Sequence, residues 1–119
     1  MSEPTGLPAE MIELQRSERN LSVHDTVTLL QTPEFQLIQI RMPAGSGIPN
    51  YEAHGQVILQ CLEGDISVHV QAQPHRLTPH QLLFLNVNEP FSISAAEDSS
   101  ILATIVSPTS GREVDIIGD

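Results

Sequence analysis

Two neighbouring side chains, Tyr51 and His54, have the clearest capacity for proton transfer in this sequence. A histidine imidazole titrates near neutral pH, so it suits a general base or a contact to a ligand. A tyrosine hydroxyl can bond a ligand or act as an acid. Each also has a simpler explanation, since His54 can be a solvated loop residue and Tyr51 can fill space. No acidic residue stands at a spacing that would orient His54.

The other histidines and the single cysteine give weaker indications of chemistry. His69 falls on the polar set of its strand and His75 in a loop, so both are expected to be solvated. We expect a structural role for His80 in a turn, and nothing in the spacing of His24 directs it towards a site. Cys61 has no nearby cation or helix N-terminus to activate it, so it is expected to be a buried packing residue.

The charge balance excludes several classes of partner. The chain has 15 acidic residues, five arginines and no lysine, which gives a formal charge of −10. Because nucleic acids and anionic membranes are bound by clustered Lys and Arg, neither is expected as a partner. No apolar run reaches the roughly 20 residues needed to span a bilayer, and the acidic start of the chain does not have the pattern of a signal peptide. We therefore expect a cytoplasmic protein without an internal disulfide.

Hydrophobic residues in the middle of the chain recur with a period of two. Residues 66–70 and 91–95 alternate between apolar and small or polar side chains. More uniformly apolar runs occupy residues 57–62, 82–85 and 101–106. Turn-forming residues separate these segments at intervals of about ten residues, a pattern that predicts an all-β sandwich or barrel.

The length of 119 residues favours a single domain. Residues 1–10 contain proline and glycine among polar residues and are expected to form a flexible N-terminal arm. Residues 11–107 are expected to form the β-barrel. Residues 108–119 are expected to be a C-terminal tail or an edge strand.

The stretch GSGIPNYEAHGQVILQCLEG resembles the first sequence motif of the cupins. In that family the motif places two histidines and a glutamate between two glycines. Gly45 and Gly64 take the glycine positions without a gap. The histidine positions then fall on Tyr51 and Ala53, and the glutamate position falls on Val57.

A second cupin motif can be placed on RLTPHQLLFLNVNEPFSISA. His80 and Asn88 take its glycine positions, Asn86 its proline, Phe91 its metal-binding histidine and Ala95 its asparagine. Histidine and asparagine tolerate a positive φ better than most residues. We therefore expect His80 and Asn88 to hold turns that glycine makes in the family.

The resemblance, over residues 35–107, implies a small single-domain cupin of the RmlC-like type, an antiparallel jelly-roll barrel. Family members hold a divalent metal inside the barrel, but the positions of its ligands are here taken by a phenol, a methyl, an isopropyl and a phenyl group. None of these is an ordinary ligand at neutral pH, so no metal and no cofactor are expected. The expected ligand pocket comprises seven residues at or beside these positions: Tyr51, Ala53, His54, Val57, Leu59, Cys61 and Phe91.

A barrel lined in this way favours binding of a small, largely apolar molecule, or a role as a homodimeric interaction module, over catalysis. Small cupins are typically homodimers, and the chain has more apolar strand surface than a lone barrel of this size needs. The resemblance and this surface together predict a homodimer through six residues: Leu29, Leu30, Ile38, Ile40, Ile116 and Ile117.

Two enzymatic alternatives stay open from the sequence. One is a metal-dependent oxygenase or isomerase whose ligands have moved, for example to His54, Glu52 and a distant histidine. The other is a metal-independent isomerase in which His54 and Tyr51 transfer protons, as in metal-free cupin sugar epimerases. The catalytic candidates are therefore His54 and Tyr51, and the sequence names neither a ligand nor a pathway.

Overall fold

A computed structural model of this protein describes residues 9–15 and 23–107, and the strands of these residues form two antiparallel β-sheets. Within these two ranges there is no helix, and hence none long and apolar enough to cross a membrane. The strands in chain order are β1 (Asp25–Gln31), β2 (Phe35–Met42), β3 (Gly47–Tyr51), β4 (Val57–Glu63), β5 (Ile66–Val70), β6 (Gln73–Leu77), β7 (Leu82–Leu85), β8 (Phe91–Ala95) and β9 (Ser99–Val106).

The order of the strands is that of a jelly roll. One sheet has five strands in the order β1-β2-β9-β4-β7, and the other has four in the order β3-β8-β5-β6. Every neighbouring pair is antiparallel. The last strand, β9, lies between β2 and β4, so the chain passes repeatedly from one sheet to the other. The predicted all-β jelly-roll fold is confirmed.

The period-two pattern predicted from the sequence directs apolar side chains into the space between the sheets. In β4, Val57, Leu59 and Cys61 are buried, whereas Ile58 between them is exposed. The same alternation buries one face of β5 and of β8. Full burial of a Val, Leu or Ile side chain stabilises a fold by about 1.5–3 kcal/mol. The two inward faces therefore hold the sandwich together.

Positive φ angles occur at four positions of the two motifs. Gly45 has a φ of 84° and Gly64 a φ of 94°. His80 has a φ of 79° and Asn88 a φ of 56°. The expectation that a histidine and an asparagine hold turns with positive φ is confirmed. This conformation costs a residue with a Cβ about 1–2 kcal/mol, and asparagine less than most.

A short N-terminal segment lies against the outer face of the five-stranded sheet. The backbone amide of Gln15 donates to Oε1 of Gln39 at 2.6 Å, and Nε2 of Gln39 donates to the carbonyl oxygen of Gln15 at 3.0 Å. Nε2 of Gln39 also donates to Oγ of Ser100 at 2.8 Å. These bonds satisfy an amide side chain that is almost fully buried on the sheet surface.

The two predicted terminal segments fall mainly outside the described residues. Of residues 1–10, only residues 9 and 10 are described, and they form no regular secondary structure. Residues 108–119 lie outside the described ranges. The first strand of the barrel begins at Asp25.

Replacing Gly64 with alanine is expected to destabilise the fold more than the same change at Gly45. A Cβ at position 64 would lie 2.2 Å from Oγ of Ser99 and 2.5 Å from the carbonyl oxygen of Asp98, whereas a Cβ at position 45 would meet nothing within 4 Å. Since both positions have a positive φ, Gly45→Ala isolates the conformational cost. We expect urea denaturation to give a loss of about 1 kcal/mol for Gly45→Ala and at least about 3 kcal/mol for Gly64→Ala. Equal losses would contradict the close approach at Gly64.

Candidate ligand-binding cavity

A cavity of about 230 Å³ lies between the two sheets. Strands β1, β2, β4 and β9 of the five-stranded sheet contribute to it, and β3 and β8 close it from the other sheet. It is lined by twelve residues: His24, Thr26, Ile38, Ile40, Ile48, Tyr51, Val57, Leu59, Phe91, Ile93, Ala103 and Ile105. Four of the seven predicted pocket residues are among them: Tyr51, Val57, Leu59 and Phe91.

The interior of the cavity is hydrocarbon. Val57 and Leu59 of β4 point into it because they share the inward parity of that strand. The pairing of β4 with β9 places Ala103 opposite Leu59, and the pairing of β2 with β9 places Ile38 opposite Ala103. Ala103 is the smallest of these side chains, and it borders the cavity. Nine of the twelve lining side chains carry no hydrogen-bonding group.

Tyr51 and Phe91 form one wall of the cavity. They are paired across strands β3 and β8, and their ring centroids lie 5.6 Å apart with the planes at 69°. This is the edge-to-face arrangement that aromatic rings favour. Phe91 is 5% exposed and Tyr51 is 45% exposed. Tyr51 therefore stands at the mouth, between the apolar interior and water.

Two further polar residues at the mouth, His24 and Thr26, were missed by the sequence reasoning. Both line the cavity and both are exposed. Thr26 is paired with Ile40 of β2, which is an inward-facing residue, so Thr26 points to the same side of the sheet. The only sequence signal that could have found Thr26 is its parity with Ile40, which requires the β1–β2 register to be known.

His54 does not line the cavity, contrary to its inclusion in the predicted pocket. It lies in the loop between β3 and β4, its side chain is exposed, and its Nδ1 is 3.4 Å from Oδ1 of Asn88. Gly55 follows it but does not turn it inward. The structure therefore does not bring His54 and Tyr51 together at the cavity, although Tyr51 itself is there.

Ala53 and Cys61 are buried beside the cavity rather than in its lining. The carbonyl oxygen of Ala53 accepts a hydrogen bond from the backbone amide of Asn88 at 3.0 Å, which ties the β3–β4 loop to the β7–β8 loop. Cys61 is fully buried and follows Leu59 on the inward face of β4, opposite Ile101, which is also fully buried. Its burial is that of a packing residue, and it lies outside the lining in which the predicted pocket included it.

The thiol of Cys61 is held in its protonated form. Burial raises the pKa of the Cys61 thiol, and the negative charge of Asp65 raises that pKa further. Its Sγ lies 3.5 Å from the carbonyl oxygen of Glu63, to which the protonated thiol donates. A protonated, buried thiol is a poor nucleophile and a poor metal ligand.

The residues at the family metal positions do not fit a divalent cation. Tyr51, Val57 and Phe91 line the cavity and Ala53 is buried beside it, so a cation there would meet carbon and one phenol hydroxyl. Within residues 9–15 and 23–107, no group of three or more His, Cys, Asp or Glu side chains could hold a metal ion. The donor set at this site therefore supports no metal-dependent step.

Among the residues that the structure describes, no Asp, Glu or Arg side chain lines the cavity. Arg41 pairs with Asp25, and the β1–β2 register puts both on the outward parity of the sheet. Arg76 pairs with Asp65 at 2.8 Å near the edge of the four-stranded sheet, and the hydrogen bonds from this guanidinium hold the pKa of the Asp65 carboxyl below its ordinary value. Neither of these ion pairs therefore places a charged side chain in the cavity, where it could pair with a charged ligand.

Part of the predicted dimer surface is also inside the protein. Ile38 and Ile40 line the cavity, and Ile40 is buried. The sequence pattern could not distinguish these inward residues from surface residues, because both faces of β2 are rich in apolar side chains. Leu29 and Leu30 are half-buried on β1, and Ile116 and Ile117 lie outside the described residues.

Comparison with solved structures shows the cupin fold. A cupin superfamily protein from Desulfitobacterium hafniense aligns with a TM-score of 0.70 and 16% identity over 77% of this chain and 83% of its own. A cupin domain of Schizosaccharomyces pombe Cnp3 aligns with a TM-score of 0.69 and 22% identity over 94% of this chain and 79% of its own. A salicylate 1,2-dioxygenase from Pseudaminobacter salicylatoxidans aligns with a TM-score of 0.68 and 15% identity over 76% of this chain, but only 28% of its own. The sequence matches no protein-family model and no curated protein.

The buried thiol leads to a prediction about chemical modification. In the folded protein, Cys61 should react with a disulfide reagent such as DTNB at least about 1,000-fold more slowly than in urea, because the thiol is buried and its pKa is raised. The absorbance of the released thionitrobenzoate gives both rates. As a matched control, Ser94→Cys places a thiol at an exposed position of β8, where reaction should be fast in both conditions. Rapid labelling of native Cys61 would show that the β4 interior is open.

Proposed function

We propose that the protein binds, in this cavity, a small, largely apolar and uncharged molecule that carries one hydrogen-bonding group. The observation that supports this function is the distribution of polarity around the cavity. The nine apolar side chains form its interior, and three polar ones, His24, Thr26 and Tyr51, line its mouth. Ligand sites commonly combine an apolar wall with a few polar groups that fix orientation.

The size of the cavity limits the ligand to one ring or one short chain. Its volume of about 230 Å³ exceeds that of the engineered cavity of about 150 Å³ that binds benzene. It is smaller than the cavities of about 300–1,000 Å³ that hold drug-sized molecules. A ligand of about ten non-hydrogen atoms, such as a substituted phenol, fits this range.

The charge distribution favours a neutral ligand. The chain has no lysine, and neither arginine of the described residues lines the cavity, so a carboxylate buried among these residues would lose its hydration without gaining a cationic partner. The formal charge of −10 also disfavours anions near the protein. A hydroxyl group can instead bond with Tyr51 or Thr26 at the mouth.

The same geometry does not support proton transfer by the predicted pair, His54 and Tyr51. Such a pair needs both side chains within reach of one substrate atom, and His54 lies outside the cavity that Tyr51 lines. The residues at the metal positions offer no donor set for a metal-dependent reaction. We therefore do not propose a dioxygenase activity for this chain, although its fold is similar to that of the salicylate 1,2-dioxygenase.

Binding of a small panel of ligands tests the proposal. We expect 4-ethylphenol and toluene to bind with Kd values of about 10–1,000 µM and to shift NMR amide resonances around Leu59, Phe91 and Ala103. Ala103→Leu fills the cavity and should abolish binding, whereas Ala96→Leu in an exposed loop should not. If no ligand of the panel binds, or if Ala103→Leu binds as well as the wild type, the cavity is not the site.

The polar mouth gives a second, separate prediction. Tyr51→Phe should weaken the binding of 4-ethylphenol about three- to tenfold, the value of one neutral hydrogen bond, and should leave the binding of toluene unchanged. Benzoate, which has a similar size and a charge, should bind at least about tenfold more weakly than 4-ethylphenol. Isothermal titration calorimetry measures both. Tighter binding of benzoate than of 4-ethylphenol would contradict the proposed neutral charge of the ligand. It would not contradict the cavity as the binding site.

A further inference from the structure

The inner face of β1 is polar, whereas that of its neighbour β2 is apolar. The register of these strands pairs Thr26 with Ile40 and Thr28 with Ile38, and paired residues point to the same side of a sheet. His24 precedes β1 with the same parity as the two threonines. His24, Thr26 and Thr28, which we call the polar row, therefore lie beside the apolar residues of β2 that line the cavity.

The polar row is open to solvent although it faces the space between the two sheets. Its three side chains are exposed, whereas Asp25 and Val27, which point to the outer face of the same strand, are half-buried. An inward-facing side chain is exposed where the opposite sheet does not cover it. Both β1 and β3 are edge strands, and both contribute to the lining of the cavity. The cavity therefore opens at the side of the sandwich, between these two edges.

The side chains of the polar row have no partner within the described part of the chain. None of the three forms a side-chain hydrogen bond among residues 9–15 and 23–107. By contrast, the amide of Gln39 on the outer face of the same sheet is bonded to Gln15 and Ser100. A threonine hydroxyl can both donate and accept, so it matches the hydroxyl groups of a ligand.

The charges near the polar row favour a neutral ligand group there. The only charged side chains of β1 and β2, Asp25 and Arg41, pair with each other on the outer face of the sheet. The row itself consists of two hydroxyl groups and one imidazole. A carboxylate or phosphate on the ligand would therefore gain no cationic partner from these strands, whereas an alcohol could bond with either threonine.

We propose that the ligand is an amphiphile whose apolar part lies in the cavity and whose neutral, polyhydroxy head extends along the polar row as far as Thr28. This inference rests on the proposed function and extends the ligand beyond the hydrogen-bonding group at the mouth. Thr26 lines the cavity and Thr28 does not. Alternate residues of an antiparallel strand are about 7 Å apart, so the head carries hydroxyl groups about this far apart, as a hexose or a linear polyol does.

The cavity limits the length of the apolar part. A cavity of about 150 Å³ holds the six carbon atoms of benzene, which is about 25 Å³ for each carbon. The volume of about 230 Å³ therefore holds about nine carbon atoms. An octyl chain meets this limit, so n-octyl β-D-glucoside is a suitable probe of both parts of the site.

Isothermal titration calorimetry with this probe, below the concentration at which it forms micelles, tests the position of the head. We expect a Kd of about 10–1,000 µM for the wild type. Thr28→Val removes one hydroxyl group at nearly constant shape and should raise this Kd about three- to tenfold. It should leave the Kd of 4-ethylphenol unchanged, because that ligand does not reach Thr28. Thr104→Val, on the outer face of β9, is the matched control and should change neither Kd.

Two further measurements test the position of the tail. Ala103→Leu fills the cavity and should abolish binding of octyl glucoside, and glucose alone should bind at least about a hundredfold more weakly than octyl glucoside. If 4-ethylphenol binds but octyl glucoside does not, or if Thr28→Val or Ala103→Leu binds octyl glucoside as the wild type does, the amphiphile inference is wrong and the cavity stands as a site for smaller molecules. If neither ligand binds, the proposed function fails and this inference fails with it.

Discussion

Burial of the inward faces of two antiparallel sheets is the interaction on which this structure depends. Within the described part of the chain, sixteen buried hydrophobic residues form one core between the sheets, and all of them except Ala53 lie in strands. Packing in this layer is not uniform. Cys61, Ile66 and Ile101 are fully buried, whereas Ile38, Ile48 and Ile105 stay partly exposed and border the cavity. The cavity is therefore the part of the core that side chains leave unfilled. Its lining is apolar because most of the lining residues belong to the core.

This origin is the physical basis of the proposed preference for a neutral apolar molecule. The positions that the motif resemblance matches to metal ligands carry Val57, Phe91 and the ring of Tyr51, all of which line the cavity. The aromatic contact between Tyr51 and Phe91, with centroids 5.6 Å apart, forms one wall of this cavity. Water that occupies an apolar space finds few hydrogen-bonding partners, so an apolar ligand can replace it at low cost. The two sheets thus enclose the cavity, and the side chains that line it determine which molecules can bind there.

Much of this arrangement could be predicted from the sequence, because it depends on local rules. The period of two gave the inward parity of Val57, Leu59 and Phe91 without knowledge of the partner strands. The tolerance of asparagine for positive φ gave the turn at Asn88. The positions of His54 and Ile38 could not be predicted in this way. A loop of irregular backbone decides where the imidazole of His54 lies, and the register between β1, β2 and β9 decides that Ile38 faces the interior.

The central claim is that the interior of this barrel offers carbon rather than metal-binding atoms, and metal content tests it most directly. Untagged protein, purified without added metal, would be analysed for iron, manganese, nickel, copper and zinc, and its melting temperature would be compared before and after treatment with a chelator. The account predicts less than about 0.1 equivalent of any of these metals and an unchanged melting temperature. About one equivalent of a metal that leaves with the chelator and lowers the melting temperature would contradict it.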